Sequence, residues 1–211
     1  MTDDTPISSG PGRPKDPAKR AAILAAAKRL FVRLGYGKSS MAAIAAEAGV
    51  SKLTLYSHFA DKEALFTAAV KSKCEEQLPP LFFEFNQHSP IRQSLLTIGH
   101  GFYALINSEE AIALKRLMVN QASHDPGLSR LFYEAGPLRV QDSMERLLWS
   151  AHQTGSLNVP QPRRATEHFF SLIMGAHHYR LLSGIDSPQE PTTVEQHVNE
   201  VVDLFLRLYS T

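Results

Sequence analysis

The chain has 211 residues, a formal net charge of +1, and 43% apolar against 20% charged residues. That length buries one sizeable core, or a small domain joined to a larger one, and the composition excludes a chain disordered throughout. No apolar run approaches the ~18 residues a membrane span needs, and no hydrophobic stretch at the N-terminus suggests a secretory signal. The single cysteine, Cys74, excludes an internal disulfide framework and points to a reducing cytoplasm.

Charge is unevenly spread. Between Pro11 and Ala60, nine Lys and Arg face two acids, a balance of +7, while the rest carries 13 against 19, a balance of −6. A basic end on an otherwise acidic chain is either a surface for a polyanion or a solvated charged face.

Residues 1–16, rich in Pro, Gly, Ser and Thr, predict a flexible arm. Within it, Gly12-Arg13-Pro14-Lys15 either enters a minor groove or remains an untethered tail. From Ala18 to Leu34, the positions Ile23, Ala27, Leu30, Phe31 and Leu34 recur at helical spacing, and Gly35 supplies a stop. Ser40 is a good N-cap for a short helix carrying Met41, Ile44, Ala45 and Ala48. Gly49-Val50 is a tight turn, and Ser51 caps a second short helix from Lys52 to about His58. Asp61 caps a longer helix with Leu65, Phe66, Ala69, Val70 and Cys74 in register, ended by Pro79-Pro80. Five more helices follow, roughly Pro90–Asn107, Ser108–Ala122, Pro126–Thr154, Pro162–Ser183 and Thr192–Tyr209. Gly136-Pro137 should break or kink the third of them, because proline cannot donate to the helical ladder. The expected class is all-α.

Two short helices joined by a glycine turn, after a basic helix, have the pattern of a helix-turn-helix over residues 40–59. On the second, Lys52, Leu53, Tyr56 and Ser57 fall on one side, Leu55 turns inward and Phe59 closes the end. Lys52 can reach a guanine edge or a phosphate, and Leu53 a thymine methyl. Thr54, Tyr56 and Lys62 suit phosphate oxygens. The string from Ser40 to Phe66, SMAAIAAEAGVSKLTLYSHFADKEALF, resembles the signature of the TetR family of regulators. Ala21 to Tyr36 looks like that family's first helix. The resemblance implies a DNA-binding domain over residues 17–77, with contacts from Ser40, Lys52, Leu53, Thr54, Tyr56, His58 and Lys62. With the capping Ser51, these are the expected DNA-binding residues. Leu53 departs from the family, where this position is usually small. For His58, a DNA contact and a hydrogen-bonded packing role both stay open.

Residues 78–211 are expected to form a helical ligand-binding and dimerisation domain. Leu114 to Arg139 looks like the effector domain of AcrR- and AefR-like members. Candidate pocket residues are Phe102, Ile106, Leu117, Met118, Gln121, Phe132, Trp149, Phe170 and Met174, with His177 as a polar handle. For each of them, ordinary core packing is the alternative. In the last two helices, Phe169, Ile173 and Gly175, and Val198, Val201, Phe205 and Leu208, form stripes wider than one helix usually buries. They are the expected homodimer interface, which the family resemblance also implies. Two reading heads on a two-fold axis then span successive major grooves about 34–36 Å apart.

Neighbouring His177 and His178 point about 100° apart on a helix and cannot clasp one ion, so no metal is expected. No cofactor motif or catalytic pattern occurs. Cys74, in register with Phe66 and Val70, reads as a packed thiol rather than a redox sensor. The function expected is a cytoplasmic, sequence-specific transcription repressor, released from its double-stranded DNA operator by a small, largely apolar effector. The alternatives are a helical enzyme or carrier, and a nonspecific DNA-binding protein.

Overall fold

In the computed structural model, which describes residues 16–86, 88–185 and 192–210, the chain is built of helices, with no strand among the described residues. The arm Gly12-Arg13-Pro14-Lys15 lies outside the described residues. Helix α1 spans Pro17–Lys38, opened by the Asp16 carboxylate accepting from the Ala18 N–H. It buries Ile23, Ala27, Leu30 and Phe31 as their spacing predicts. Gly35 breaks this helix without ending it. Its backbone (φ 78, ψ 164) lies where a side chain is strained, and helical backbone resumes to Lys38. The fully buried Ser39 hydroxyl serves the carbonyls that the break releases, 2.7 Å from Gly35 O and 3.1 Å from Leu30 O.

Helices α2 (Met41–Glu47), α3 (Lys52–His58) and α4 (Lys62–Gln77) follow, capped in turn by Ser40, Ser51 and Asp61. Each cap accepts from a backbone N–H of the first turn, at 3.1, 3.1 and 2.7 Å, satisfying a donor that the helix cannot. Ile44, Ala45, Leu55 and Phe59 pack with α1 and α4. At the centre, the Phe66 ring meets Phe31 and Tyr36 edge-on, at 5.2 and 5.1 Å between centroids.

A 3-10 turn at Pro80–Phe83, not anticipated from the sequence, leads into α5 (Ile91–Asn107) and α6 (Glu109–Gln121). The expected single helix from Pro126 is two, α7 (Pro126–Ala135) and α8 (Pro137–Gln153), divided where Pro137 lacks an N–H. Helices α9 (Pro162–Ser183) and α10 (Val194–Tyr209) complete the described chain. The second core joins Leu95 and Ile98 of α5, Met144, Leu147 and Leu148 of α8, Phe169 and Ile173 of α9, and Val198, Val202 and Phe205 of α10. Helices α6 and α7 belong to the other core, placing Met118, Leu128 and Ala135 against α1–α4.

This packing corrects the interface expected from the stripes. Phe169, Ile173, Val198 and Phe205 are 0% exposed and Val201 is 4% exposed, all inside the protomer's own core. Helix α10 lies against both α5 and α9, so its wide stripe is covered within one chain. Of the expected interface residues, only Gly175 and Leu208 stay exposed. Around them the outer face of α9 and α10 shows Leu172, Ala176, Tyr179 and Leu204.

Helix α9 carries a second glycine break, at Gly175 (φ 55, ψ −172). The Ile173 carbonyl next to it takes a hydrogen bond from His197 Nε2 of α10 at 3.0 Å, so a side chain replaces a lost rung of the ladder.

Candidate nucleic-acid interface and ligand cavity

Helix α3 is divided sharply by burial. Leu55 is 0% exposed, whereas Leu53 is 83% and Tyr56 50% exposed, with Lys52 and Ser57 also in solvent. An exposed leucine of that degree buries nothing within the chain, so its apolar surface is available to a partner. Leu55 and Phe59 anchor the helix from below in the core of the head, and its other hydrogen bonds are local. Ser51 accepts from the Thr54 N–H and its hydroxyl lies 2.9 Å from the Thr54 hydroxyl, while Ser57 donates to Thr54 O at 2.7 Å. Ser40, exposed at the start of α2, aligns a second helix N-terminus with the same head. Arg29 and Arg33 of α1 pair with Glu47 of α2 at 3.1 and 3.6 Å.

Two of the expected contacts sit differently. Lys62 turns inward: Nζ donates to Tyr36 O at 3.0 Å and lies 4.3 Å from the centre of the Tyr36 ring. It ties the start of α4 to the end of α1, with two ammonium hydrogens left for other acceptors. Burial, followed by Glu63, Asp61 and Asp125, raises the Tyr36 phenol above its ordinary pKa, so it stays protonated beneath this cation. His58 is half-buried, and its Nδ1 is shielded without a hydrogen-bond partner, so the hydrogen-bonded packing role is not realised there.

Behind the head lies a cavity of about 1060 Å³. Phe102, Ile106, Met118, Phe132, Phe170 and Met174 line it, six of the residues expected from the sequence. Phe102 and Phe170 form a ring pair 4.3 Å between centroids, tilted by 39°. Leu117, Gln121, Trp149 and His177 are not in the wall. Leu117 packs into the head's core, Gln121 is half-buried at the end of α6, and Trp149 is 53% exposed on the outside of α8. His177 stacks on Tyr103, 5.8 Å between ring centres.

His178 takes the place expected of His177. A straight helix returns to the face of Phe170 seven residues on, at position 177. The unwound residue at Gly175 delays that return by one, and His178, 5% exposed, reaches the wall instead. Its Nδ1 lies 3.0 Å from Asn107 Oδ1, an atom that only accepts. Burial lowers its pKa, with Lys115 and His177 adding to the effect, so the ring is neutral near pH 7.

The wall also holds residues that sequence reasoning missed. Helix α1 contributes Ala25, Lys28 and Val32, and α4 contributes Ala69, Lys73 and Cys74. Only the docking of head on C-terminal half makes these a cavity surface. On α6 the signal was legible: Ala111, Leu114, Lys115, Met118 and Ala122 share one helical face. Lys28 pairs with Glu76 and Lys73 with Glu110 at the junction of α1, α4 and α6. The Lys73 hydrogen bond holds the Glu110 carboxyl below its usual range. Burial, aided by Glu75 and opposed by Arg139 and Lys73, pushes the Cys74 thiol up to about 11. It is a protonated, packed thiol, the opposite of what a redox sensor needs.

Comparison with known proteins agrees with this layout. Residues 93–211 match the family described as AefR-like transcriptional repressor, C-terminal domain, and residues 23–69 match bacterial regulatory proteins, tetR family. An HTH-type transcriptional repressor from Mycobacterium tuberculosis is 24% identical over 84% of this chain and 89% of its own length. Among solved structures, a TetR-family regulator from Mesorhizobium loti is 27% identical, covering 93% of this chain and 100% of that one, with a TM-score of 0.72. The flavonoid-responsive regulator FrrA is 29% identical, covering 92% and 98%, with a TM-score of 0.70. With a helix-turn-helix head whose third helix is turned to solvent, and an AefR-like C-terminal domain behind it, this chain belongs to the TetR family of DNA-binding transcriptional regulators.

Proposed function

We propose that the protein is a homodimeric repressor that a small, largely apolar effector releases from its operator. Residues 17–77 form the DNA-binding head and residues 78–211 the ligand-binding and dimerisation domain. The reading rests on one observation: α1 and α4 of the head line the same cavity as α5, α6 and α9. A ligand filling that space touches the elements that carry α3, so it contacts the operator-bound and released arrangements unequally. Unequal contact is the condition for shifting a population between two states.

On the DNA side, Lys52 and Leu53 face base edges, while Ser40, Ser51, Thr54 and Tyr56 hold the head to phosphates. Lys62 chiefly fixes the start of α4, with its remaining hydrogens directed to phosphate, and His58 at the end of α3 is left as a DNA contact. The aromatic pair Phe102 and Phe170 suits a planar effector, and the flavonoid response named for FrrA supports that class. The dimer forms through the outer face of α9 and α10, where Leu172, Gly175, Ala176, Tyr179, Leu204 and Leu208 remain uncovered. Two small residues there let backbones approach. The protein works in the cytoplasm, and no described helix is long and apolar enough to cross a membrane.

Fluorescence anisotropy tests this with duplex DNA from upstream of the protein's own gene. A dimer should prefer one site over scrambled sequence at moderate salt, and a flavonoid panel should release it. Binding indifferent to sequence would overturn the operator reading, and a complex untouched by any apolar ligand would overturn the release reading. Sedimentation of a Leu204→Asp, Leu208→Asp double variant should show a monomer; an intact dimer would place the interface elsewhere.

A further inference from the structure

The apolar part of the cavity explains how a ligand's body is held, but one end of the wall is polar without need for folding. Lys28 and Lys73 are tied to Glu76 and Glu110, and Arg29 and Arg33 to Glu47. Among the described residues, Lys115 is the cation of the wall that has no carboxylate partner. It lies close enough to His178 that its field disfavours protonation of the ring. His178 is 5% exposed, and with Nδ1 directed to Asn107 Oδ1, Nε2 is the atom left for another partner. Behind it, Asn107 Nδ2 is buried and has no acceptor. Lys115 and His178 thus share the wall of the cavity, and no carboxylate is paired with the Lys115 ammonium. A half-exposed cation with no carboxylate partner on a largely apolar wall is free to take up an anion there.

We propose that this end of the cavity is an acceptor site for an acidic oxygen, so that the effector is a weak organic acid: an apolar, ring-bearing body with one carboxylate. This rests on the cavity being the effector site. The ionised oxygen accepts from the Lys115 ammonium and, once the ring takes up a proton, from His178 Nε2. The body lies along Phe102, Phe170, Met174 and Met118. Glu110 does not compete for this position, because its carboxylate is held by Lys73, and Glu167 reaches Arg163 on its own helix at 3.9 Å.

Two pyrene probes that differ only in their head group test the proposal. 1-Pyrenebutyrate and 1-pyrenebutanol are titrated against the full-length protein without DNA, followed by fluorescence and calorimetry. The acid should bind about tenfold or more tightly than the alcohol, as a charge-assisted hydrogen bond provides. Lys115→Met, at a half-exposed position that does not endanger folding, should bring the ratio to about one, whereas Lys38→Met, exposed and outside the wall, should preserve it. Equal binding of acid and alcohol overturns the acid site while leaving the cavity reading intact. A ratio that survives Lys115→Met, or disappears with Lys38→Met, also overturns the acid site. Failure of both probes to bind overturns the cavity reading and the acid site together.

Discussion

In the head, two short helices bury Ile44, Leu55 and the capping Phe59 and hold Leu53 and Tyr56 out in water. In the C-terminal half, Phe169 and Phe205 of the long helices α9 and α10 meet edge-on at 5.2 Å inside a closed core, yet a cavity of about 1060 Å³ remains beside it. The head turns the exposed side of α3 outward, whereas the cavity lies where the C-terminal helices meet α1 and α4. A short helix has a narrow apolar stripe, so a few inward residues settle which side faces out. Long helices have wide stripes, and which part meets core, cavity or a second subunit depends on their neighbours.

Substitutions can break or sharpen this contrast. The largest effect is expected of Phe169→Ala, which empties a fully buried ring site and should cost about 3–5 kcal/mol in chemical unfolding. Normal stability with loss of the dimer would return Phe169 to the interface. Leu53→Ala should leave unfolding stability within about 0.5 kcal/mol, because 83% of the side chain is in solvent. It should weaken specific operator binding by about 1–3 kcal/mol in anisotropy titrations. Loss of stability without loss of DNA affinity would make the reading side of α3 a packing surface.

Gly175→Ala should cost about 1–2 kcal/mol, from the positive φ rather than from crowding. A side chain added there meets His197 Cε1 at an ordinary 3.4 Å. The smallest effect is a pH dependence. The folded protein binds a proton on His178 less tightly than the unfolded chain does. Stability present above the ordinary histidine pKa, about 6.5, should therefore fall as pH drops from there towards the lowered value, then level off. Melting of wild type and His178→Gln between pH 7.5 and 5 isolates this slope, and identical curves would remove His178 as its source.

Much of the head was legible because its signals are local. The caps Ser40, Ser51 and Asp61 each accept a backbone N–H of the first turn, within three residues in the chain. The inward position of Leu55 follows from a helix of seven residues with few apolar choices. The aromatic wall residues Phe102, Phe132 and Phe170 were legible through the family resemblance, which implies a pocket among the middle helices, and not by periodicity, which leaves core packing equally open. Lys62 was less so, since its cation meets Tyr36, 26 positions away, and the sequence shows only that a lysine follows a cap.

By itself, the sequence determined the helices, most of their ends and the outward side of α3, since hydrogen-bond caps, proline and 3.6-residue spacing act over a few neighbours. Tertiary structure alone decided that the valine and phenylalanine stripes of α9 and α10 are core, that α1 and α4 wall the cavity, and that His178 rather than His177 faces it. Those outcomes depend on which helix covers which, and on one glycine unwinding a helix by a single step. Burial is shared among elements distant in the chain, so no stretch of sequence carries it alone.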